Sequence, residues 1–167
     1  MRLVGDRDEI AAIVHRYAEL LDRGDVEGVV GLFSQATWRS AATGTVLRTP
    51  DELRAVYSSL VPTDAPIRTR HLMHNLVIEM DDGADDASAR CSYTVLEGGD
   101  PGEPVRILLV GRYEDRYQHG DGGWHLADRV FHVDLDATTP RVSGDAGLRP
   151  VATPRTERTA ASDGGEA

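Results

Sequence analysis

The chain has 167 residues, of which 40% are hydrophobic and 28% charged, with a formal net charge of −10 and one cysteine, Cys91. One soluble domain of ordinary size fits that balance. A lone cysteine excludes an internal disulfide and a cysteine-rich zinc site. All 18 basic residues are arginine, so a lysine Schiff base, a lysine nucleophile and the lysine of a phosphate-binding P-loop are excluded as well.

The charge is unevenly placed. Residues 1–136 hold 24 acids and 14 arginines, while residues 137–167 hold 4 of each. An acidic body repels phosphates, so neither nucleic acid nor a membrane surface is an expected partner. No apolar run reaches the length of a membrane span, and the first residues lack the pattern of a secretory leader. Cytoplasm is the expected compartment.

Asp6 to Leu21 reads as an amphipathic helix, with Ile10, Ile13, Val14, Tyr17, Leu20 and Leu21 at helical spacing. Asp6 is the expected cap, with Glu9 completing a capping box. Gly24 suits the helix end, and Asp25 suits the N-cap of a short second helix through Leu32. Asp22 then lies at the end of the long helix, where an acid opposes the helix dipole. A carboxylate in that place hints at another use.

Ala36 to Ala42 and Thr45 to Arg48 read as a hairpin around Thr43-Gly44, with Trp38 on its first strand. Pro50 opens a third helix through about Leu60, and Val61 to Ile67 is a loop. Four strands follow: Thr69 to Met80, Ala87 to Leu96, Val105 to Tyr117 and Trp124 to Asp134. Short turns between long neighbours predict a bent antiparallel sheet. From Ala137 onward the chain is polar and proline-containing, and it reads as a disordered tail. The expected organisation is one α+β domain over 1–136, with a helical layer against a strongly bent sheet.

The strand from Thr69 carries the most chemistry. Strict alternation puts His71, Met73, Asn75 and Val77 on one face, and Leu72, His74, Leu76 and Ile78 on the other. The first face has the mixture of a small-molecule pocket wall, although each histidine alone also fits an ordinary half-buried strand position. His71 and His74 point to opposite faces and cannot share an ion without a bulge, so no metal is expected. Gly120 to Gly123 is a hairpin turn, because no helix follows to bind phosphate. Cys91 alternates with core residues and reads as a buried apolar group.

Four pieces of this chain resemble the SnoaL-like group of the nuclear-transport-factor-2-like superfamily. They are Tyr17 to Asp25, Leu32-Phe33, Thr69 to Asn75 and Gly123 to Leu126, and together they cover roughly residues 5–136. The resemblance implies a cone-shaped α+β barrel, with three helices packed in a bent sheet around a blind apolar pocket. That fold hosts dehydratases, isomerases, polyketide cyclases and non-enzymatic proteins, so it does not by itself carry a function.

In scytalone dehydratase an aspartate after the first helix and a histidine in the matching strand form an acid–base pair, and Asp22 and His71 fall on those positions. The tyrosine before that aspartate is Leu21 here. The second tyrosine is lost within Ser40-Ala41-Ala42, and no histidine occurs near Leu108 to Val110. The resemblance therefore implies an Asp22–His71 pair without the rest of that enzyme's polar set.

A carboxylate on one imidazole nitrogen fixes the tautomer and leaves the other nitrogen to move a proton. In an apolar pocket this suits proton removal next to a carbonyl, followed by dehydration, isomerisation or ring closure on a polyketide- or steroid-like substrate, with no cofactor. Tyr17, Trp38, Tyr57, Met73, Asn75 and Tyr113 are the expected substrate-binding residues, and Tyr93 is a further candidate wall residue. The other reading is a non-catalytic ligand-binding or assembly module, such as a dioxygenase β-subunit-like protein. A homodimer or higher oligomer is expected from the apolar Leu72, Leu76 and Ile78, which need a cover.

Overall fold

The structure is a computed structural model that describes residues 5–61, 67–98 and 102–138. The expected tail past Thr138, most of the Val61–Ile67 loop and part of the loop after Glu97 lie outside the described residues.

Helix α1 (Asp6–Arg23) buries Ile10, Val14, Tyr17, Ala18 and Leu20 along one side, which is the stripe that the spacing predicts. Its start differs from expectation. Gly5 holds the cap position without a side-chain bond. Asp6 instead accepts a hydrogen bond from the Trp124 indole at 3.1 Å, which ties the helix start to the last strand. Gly24 ends α1 in the left-handed region at φ 68°. The amides of Gly24 and Asp25 there return to the carbonyls of Leu21 and Leu20, a paired helix-end closure that suits glycine. Asp25 caps α2 (Val26–Leu32) by accepting from the Gly28 amide at 2.8 Å. Helix α3 (Pro50–Leu60) starts with Pro50 and with a capping box between Thr49 and Glu52.

The strands are β1 (Thr37–Ser40), β2 (Val46–Leu47), β3 (Thr69–Glu79), β4 (Asp86–Glu97), β5 (Arg106–Gly120) and β6 (Gly123–Asp136). They form one open six-stranded sheet in the order β2-β1-β6-β5-β4-β3. All pairs are antiparallel except β1 with β6, which is parallel. Helix α1 packs on β3 and β6, and α2 bridges α1 and α3. The result is the expected α+β cone: helices on the concave side of a mostly antiparallel sheet that does not close. Strands β5 and β6 run further than their sequence suggests, meeting at Gly120 and Gly123. Among the described residues no helix is long and apolar enough to cross a membrane.

The face assignment of β3 needs a correction. Register shifts between His74 and Val77, and Asn75 there adopts φ 55°. Asn75 and Leu76 together lie opposite Cys91, because His74 pairs with Ser92 and Val77 with Arg90. An extra residue in a strand reverses the alternation beyond it. Leu76 and Ile78 therefore pack against the core, together with Met73, while Asn75 is exposed and so is Val77. Of the three aliphatic residues expected on the outer face, Leu72 alone stays there, 48% exposed.

Cross-strand registers set the concave surface row by row. One row runs His71, Val95, Leu109 and Asp136, and the next runs Met73, Tyr93, Gly111 and Val133. Gly111 is required by packing. A Cβ there would overlap the His132 carbonyl and the Tyr93 hydroxyl, and that hydroxyl donates to the same carbonyl at 2.8 Å. Cys91 is buried as expected, and its burial pushes the thiol up to about 11.

Gly111→Ala should therefore displace backbone and Tyr93 together. Overpacking of this kind costs about 1–3 kcal/mol. Urea unfolding should show a lowered midpoint at an unchanged m-value, and an unchanged midpoint would mean that the strand yields freely.

Candidate functional site

Asp22 and His71 are 49 positions apart in sequence and meet at the junction of α1 and β3. The Asp22 carboxylate accepts from the His71 backbone amide at 3.0 and 3.2 Å and sits 2.8 Å from His71 Nδ1. A carboxylate only accepts, so Nδ1 carries the proton in this contact and Nε2 is left as the ring's acceptor. Both side chains are mostly buried, at 14% and 16% exposure. The acid that the helix dipole disfavours is thus held by two donors from the strand.

His71 lines a cavity of about 560 Å³ between the three helices and the concave sheet. Leu20, Val29, Val56, Val95, Leu109 and Val133 supply aliphatic wall. Tyr17, Trp38, Tyr57 and Tyr113 line it as the sequence leads one to expect, and so does Tyr93. Met73 and Asn75 are not wall residues. Met73 packs against the hydrophobic core, and the bulge takes Asn75 off the concave face. A wider cleft of about 980 Å³ opens beside Arg7 and Met80, but charged groups such as Glu79, Asp81 and Arg116 line it and His71 does not.

Polar atoms inside the apolar cavity are few and specific. The Tyr17 and Tyr57 hydroxyls are 2.9 Å apart. Burial holds the Tyr57 phenol well above its ordinary range, with the Tyr17 hydroxyl adding to the effect, so it stays protonated at neutral pH. The positions at Leu21 and Ser40 to Ala42 lack tyrosine, yet the cavity has a hydroxyl pair from elsewhere. Phe131, which the sequence reading did not single out, stacks on Trp38 at 5.9 Å and on Tyr93 at 5.4 Å.

Beneath this wall lies a charge pair that sequence reasoning missed. Arg129 is 0% exposed and Asp115 3%. Two 2.7 Å hydrogen bonds run from the guanidinium to the carboxylate, which also accepts from the Tyr117 hydroxyl at 2.8 Å. The guanidinium carbon lies 4.4 Å from the Tyr17 ring centre and 4.2 Å from that of Tyr113. Burial works against the charge, but Asp115 outweighs it and holds the arginine well above its ordinary range. The signal was present in the strand pattern: Asp115 alternates in phase with Tyr113 and Tyr117, a charge among inward aromatics.

Histidines elsewhere do not join the site. His74 faces outward and meets the Thr94 hydroxyl at 3.1 Å. His132 sits beside Arg112 and Glu114. Among the described residues no three His, Cys, Asp or Glu side chains come together to hold a metal ion.

A family model described as a SnoaL-like domain matches residues 2–130. No curated protein matches the sequence. Among solved structures, a variant of Rv3472 from Mycobacterium tuberculosis, a protein of unknown function, is 30% identical. The match covers 82% of this chain and 83% of that one at a TM-score of 0.61. ActVI-ORFA from Streptomyces coelicolor is 19% identical, over 78% of this chain and 98% of its own, with a TM-score of 0.67. An NTF2-like protein with a cystatin-like fold from Novosphingobium aromaticivorans is 20% identical, over 79% and 84%, with a TM-score of 0.64.

Removing one member of the Arg129–Asp115 pair leaves the other charge buried and alone. Arg129→Met and Asp115→Leu should each cost roughly 3–5 kcal/mol. The double replacement should cost clearly less than the sum of the two. Denaturation of the three variants checks this, and additive losses would show that the pair is not coupled.

Proposed function

Because the chain belongs to the SnoaL-like family, we propose that its cavity is the active site of a cofactor-independent enzyme acting on a polyketide- or steroid-like substrate. His71 is the acid–base group and Asp22 its orienting partner. The observation that carries this reading is the 2.8 Å contact between Asp22 and Nδ1 of a histidine lining an apolar cavity. With Nδ1 engaged, Nε2 takes a proton from a carbon next to a carbonyl. The C–H electron pair becomes the enolate double bond and the carbonyl pair moves onto oxygen. Asp22 stabilises the imidazolium so formed. The ring then returns its proton to a departing hydroxyl in a dehydration, or to another carbon in an isomerisation. A ring closure follows instead when the enolate carbon attacks a second carbonyl, whose electron pair moves onto its oxygen, and the ring returns its proton to the alkoxide so formed.

The family's mixture of chemistries leaves the non-catalytic module as the outcome if proton transfer is missing. The assay is hydrogen–deuterium exchange at the carbon next to the carbonyl of a cyclic ketone in D2O, followed by NMR. His71→Ala should lower the protein-dependent exchange by about 10²–10⁴-fold. Asp22→Asn should lose a smaller share, because the ring keeps a hydrogen-bond partner and loses a charge. Both variants should keep the wild-type circular dichroism. Exchange that persists undiminished in His71→Ala would sink the acid–base reading.

The same proposal includes a homodimer through the convex face. Leu72, Thr94, Val110 and Leu135 are register partners across four strands, with Leu135 62% exposed. The charges beside this apolar row are of both signs, Arg112 with Asp134 and Arg90 with Glu79, so a second copy meets a self-complementary surface. Light scattering should show a dimer at micromolar concentration, and Leu72→Glu with Leu135→Glu should give a folded monomer. A monomeric wild type would refute this part alone.

A further inference from the structure

Arg129 lies behind the cavity wall and not in it. It is fully buried and is absent from the residues that line the cavity. Its guanidinium carbon lies over the rings of Tyr17 and Tyr113 and 5.8 Å from the Phe33 ring centre. Tyr17 and Tyr113 both line the cavity. Asp115 occupies Nε and Nη2 on one edge of the guanidinium. Nη1 is buried and has no hydrogen-bond partner among the described residues. The carboxylate therefore compensates the charge from one edge, and the planar face is left to the rings.

The two ends of this pair act on different phenols. Burial and then Tyr17 raise the Tyr113 phenol, and Arg129 draws it down against them, as it does that of Tyr57. Burial and then Asp115 raise the Tyr117 phenol, and Arg129 offsets less than Asp115 adds. Tyr117 is not a wall residue of this cavity. The positive end of the pair thus faces the aromatic wall and the negative end faces away from it.

From Tyr113 the ring contacts run on across the wall. Tyr113 stacks on Tyr93 at 4.6 Å, Tyr93 on Phe131 and Phe131 on Trp38, with interplanar angles of 20°, 13° and 24°. All four rings line the cavity, and no arginine does. Arg129 therefore reaches a ligand through these rings. A cation at one face of a ring draws π density toward itself. The far face and the edge of that ring both become more positive. A ligand ring meets the wall by face or by edge. In either case an electron-rich ligand gains and an electron-poor one loses.

We propose that the Arg129–Asp115 pair sets the specificity of this cavity. The cation behind Tyr17 and Tyr113 makes the aromatic wall electron-poor. The site then selects fused rings made electron-rich by hydroxyl or alkoxy groups over electron-poor rings of the same shape. Arg129 touches no ligand and acts through the two tyrosines. This deepens the reading above, on which it rests for the cavity being the ligand site, and it needs no proton transfer at His71.

Naphthalene and octafluoronaphthalene share a frame and have opposite ring quadrupoles. Their competition for the full chain, followed by fluorine NMR, gives the ratio of their affinities. The deciding variant is the double replacement of Arg129→Met with Asp115→Leu, which leaves no buried charge alone. It should shift the ratio toward octafluoronaphthalene by roughly two- to fivefold, the factor that one cation–π contact carries. Decalin has no π face and should bind both proteins alike, which separates wall electronics from cavity shape. An unchanged ratio with decalin binding kept would overturn the proposal. If the double variant misfolds or loses decalin, the wild type decides. Its affinities for methoxy-, methyl- and cyanonaphthalene, each referred to octanol–water partition, should rise with electron donation, and a flat or inverted order would overturn the proposal. No saturable binding of any naphthalene would also overturn it, and the acid–base reading would still stand or fall by the exchange assay. Exchange independent of His71, alongside the shifted ratio, would remove the acid–base reading and leave the selectivity standing.

Discussion

A single buried cation organises the interior. Arg129 reaches from β6 to Asp115 on β5 and lies against the rings of Tyr17 on α1 and Tyr113 on β5. A guanidinium can do this because it is planar, forms two parallel hydrogen bonds to one carboxylate and still offers its faces to aromatic rings. A leucine in its place would pack but would not orient a carboxylate and two phenols. Helix and sheet are thereby registered to each other through one side chain, and the aromatic wall of the cavity stands on it. A neutral core of the same volume is often as stable, so the pair is better understood as fixing one arrangement than as supplying net stability.

The Asp22–His71 contact is built from the opposite end of the cavity by backbone geometry. Gly24 turns the chain sharply just after α1, so the last turn of the helix stops where β3 begins its row of inward residues. Asp22 then accepts from both the amide and the ring of His71. That double attachment fixes the ring in position as well as the carboxylate, since one of the two donors belongs to the rigid strand backbone. Four residues further along β3, the bulge at Asn75 turns Leu76 and Ile78 inward, closing the core below the site. The same strand thus serves chemistry at one end and packing at the other, with one residue in a left-handed conformation separating them.

Much of this was legible in the chain. The stripe of α1, the glycine stop at position 24, the cap at Asp25 and the proline start of α3 follow from local rules that act within one helical turn. The four long strands follow from alternation and turn residues. Asp22 and His71 came together through resemblance to the SnoaL-like group, reinforced by the awkward place of Asp22 at a helix end. The cap of α1 was misread because Asp6 has two suitors, its own helix amides and the Trp124 indole, and the second lies 118 positions away. Asn75, Leu76, Val77 and Ile78 lie on the faces opposite to those alternation predicts for a similar reason: alternation is a local rule, and a bulge is a long-range consequence of matching β3 to β4.

The sequence by itself determined the identity and order of the helices and strands, the acidic and lysine-free chemistry, and the carboxylate and imidazole that can be paired. These depend on spacing, and spacing is written in the chain. Tertiary structure alone decided which strand faces survive past residue 74, which tyrosine hydroxyls meet, and that Arg129 is buried at all. Each of these depends on registers between strands far apart in sequence. A shift of one residue in any of them exchanges the two faces of the sheet, which no local pattern can foresee.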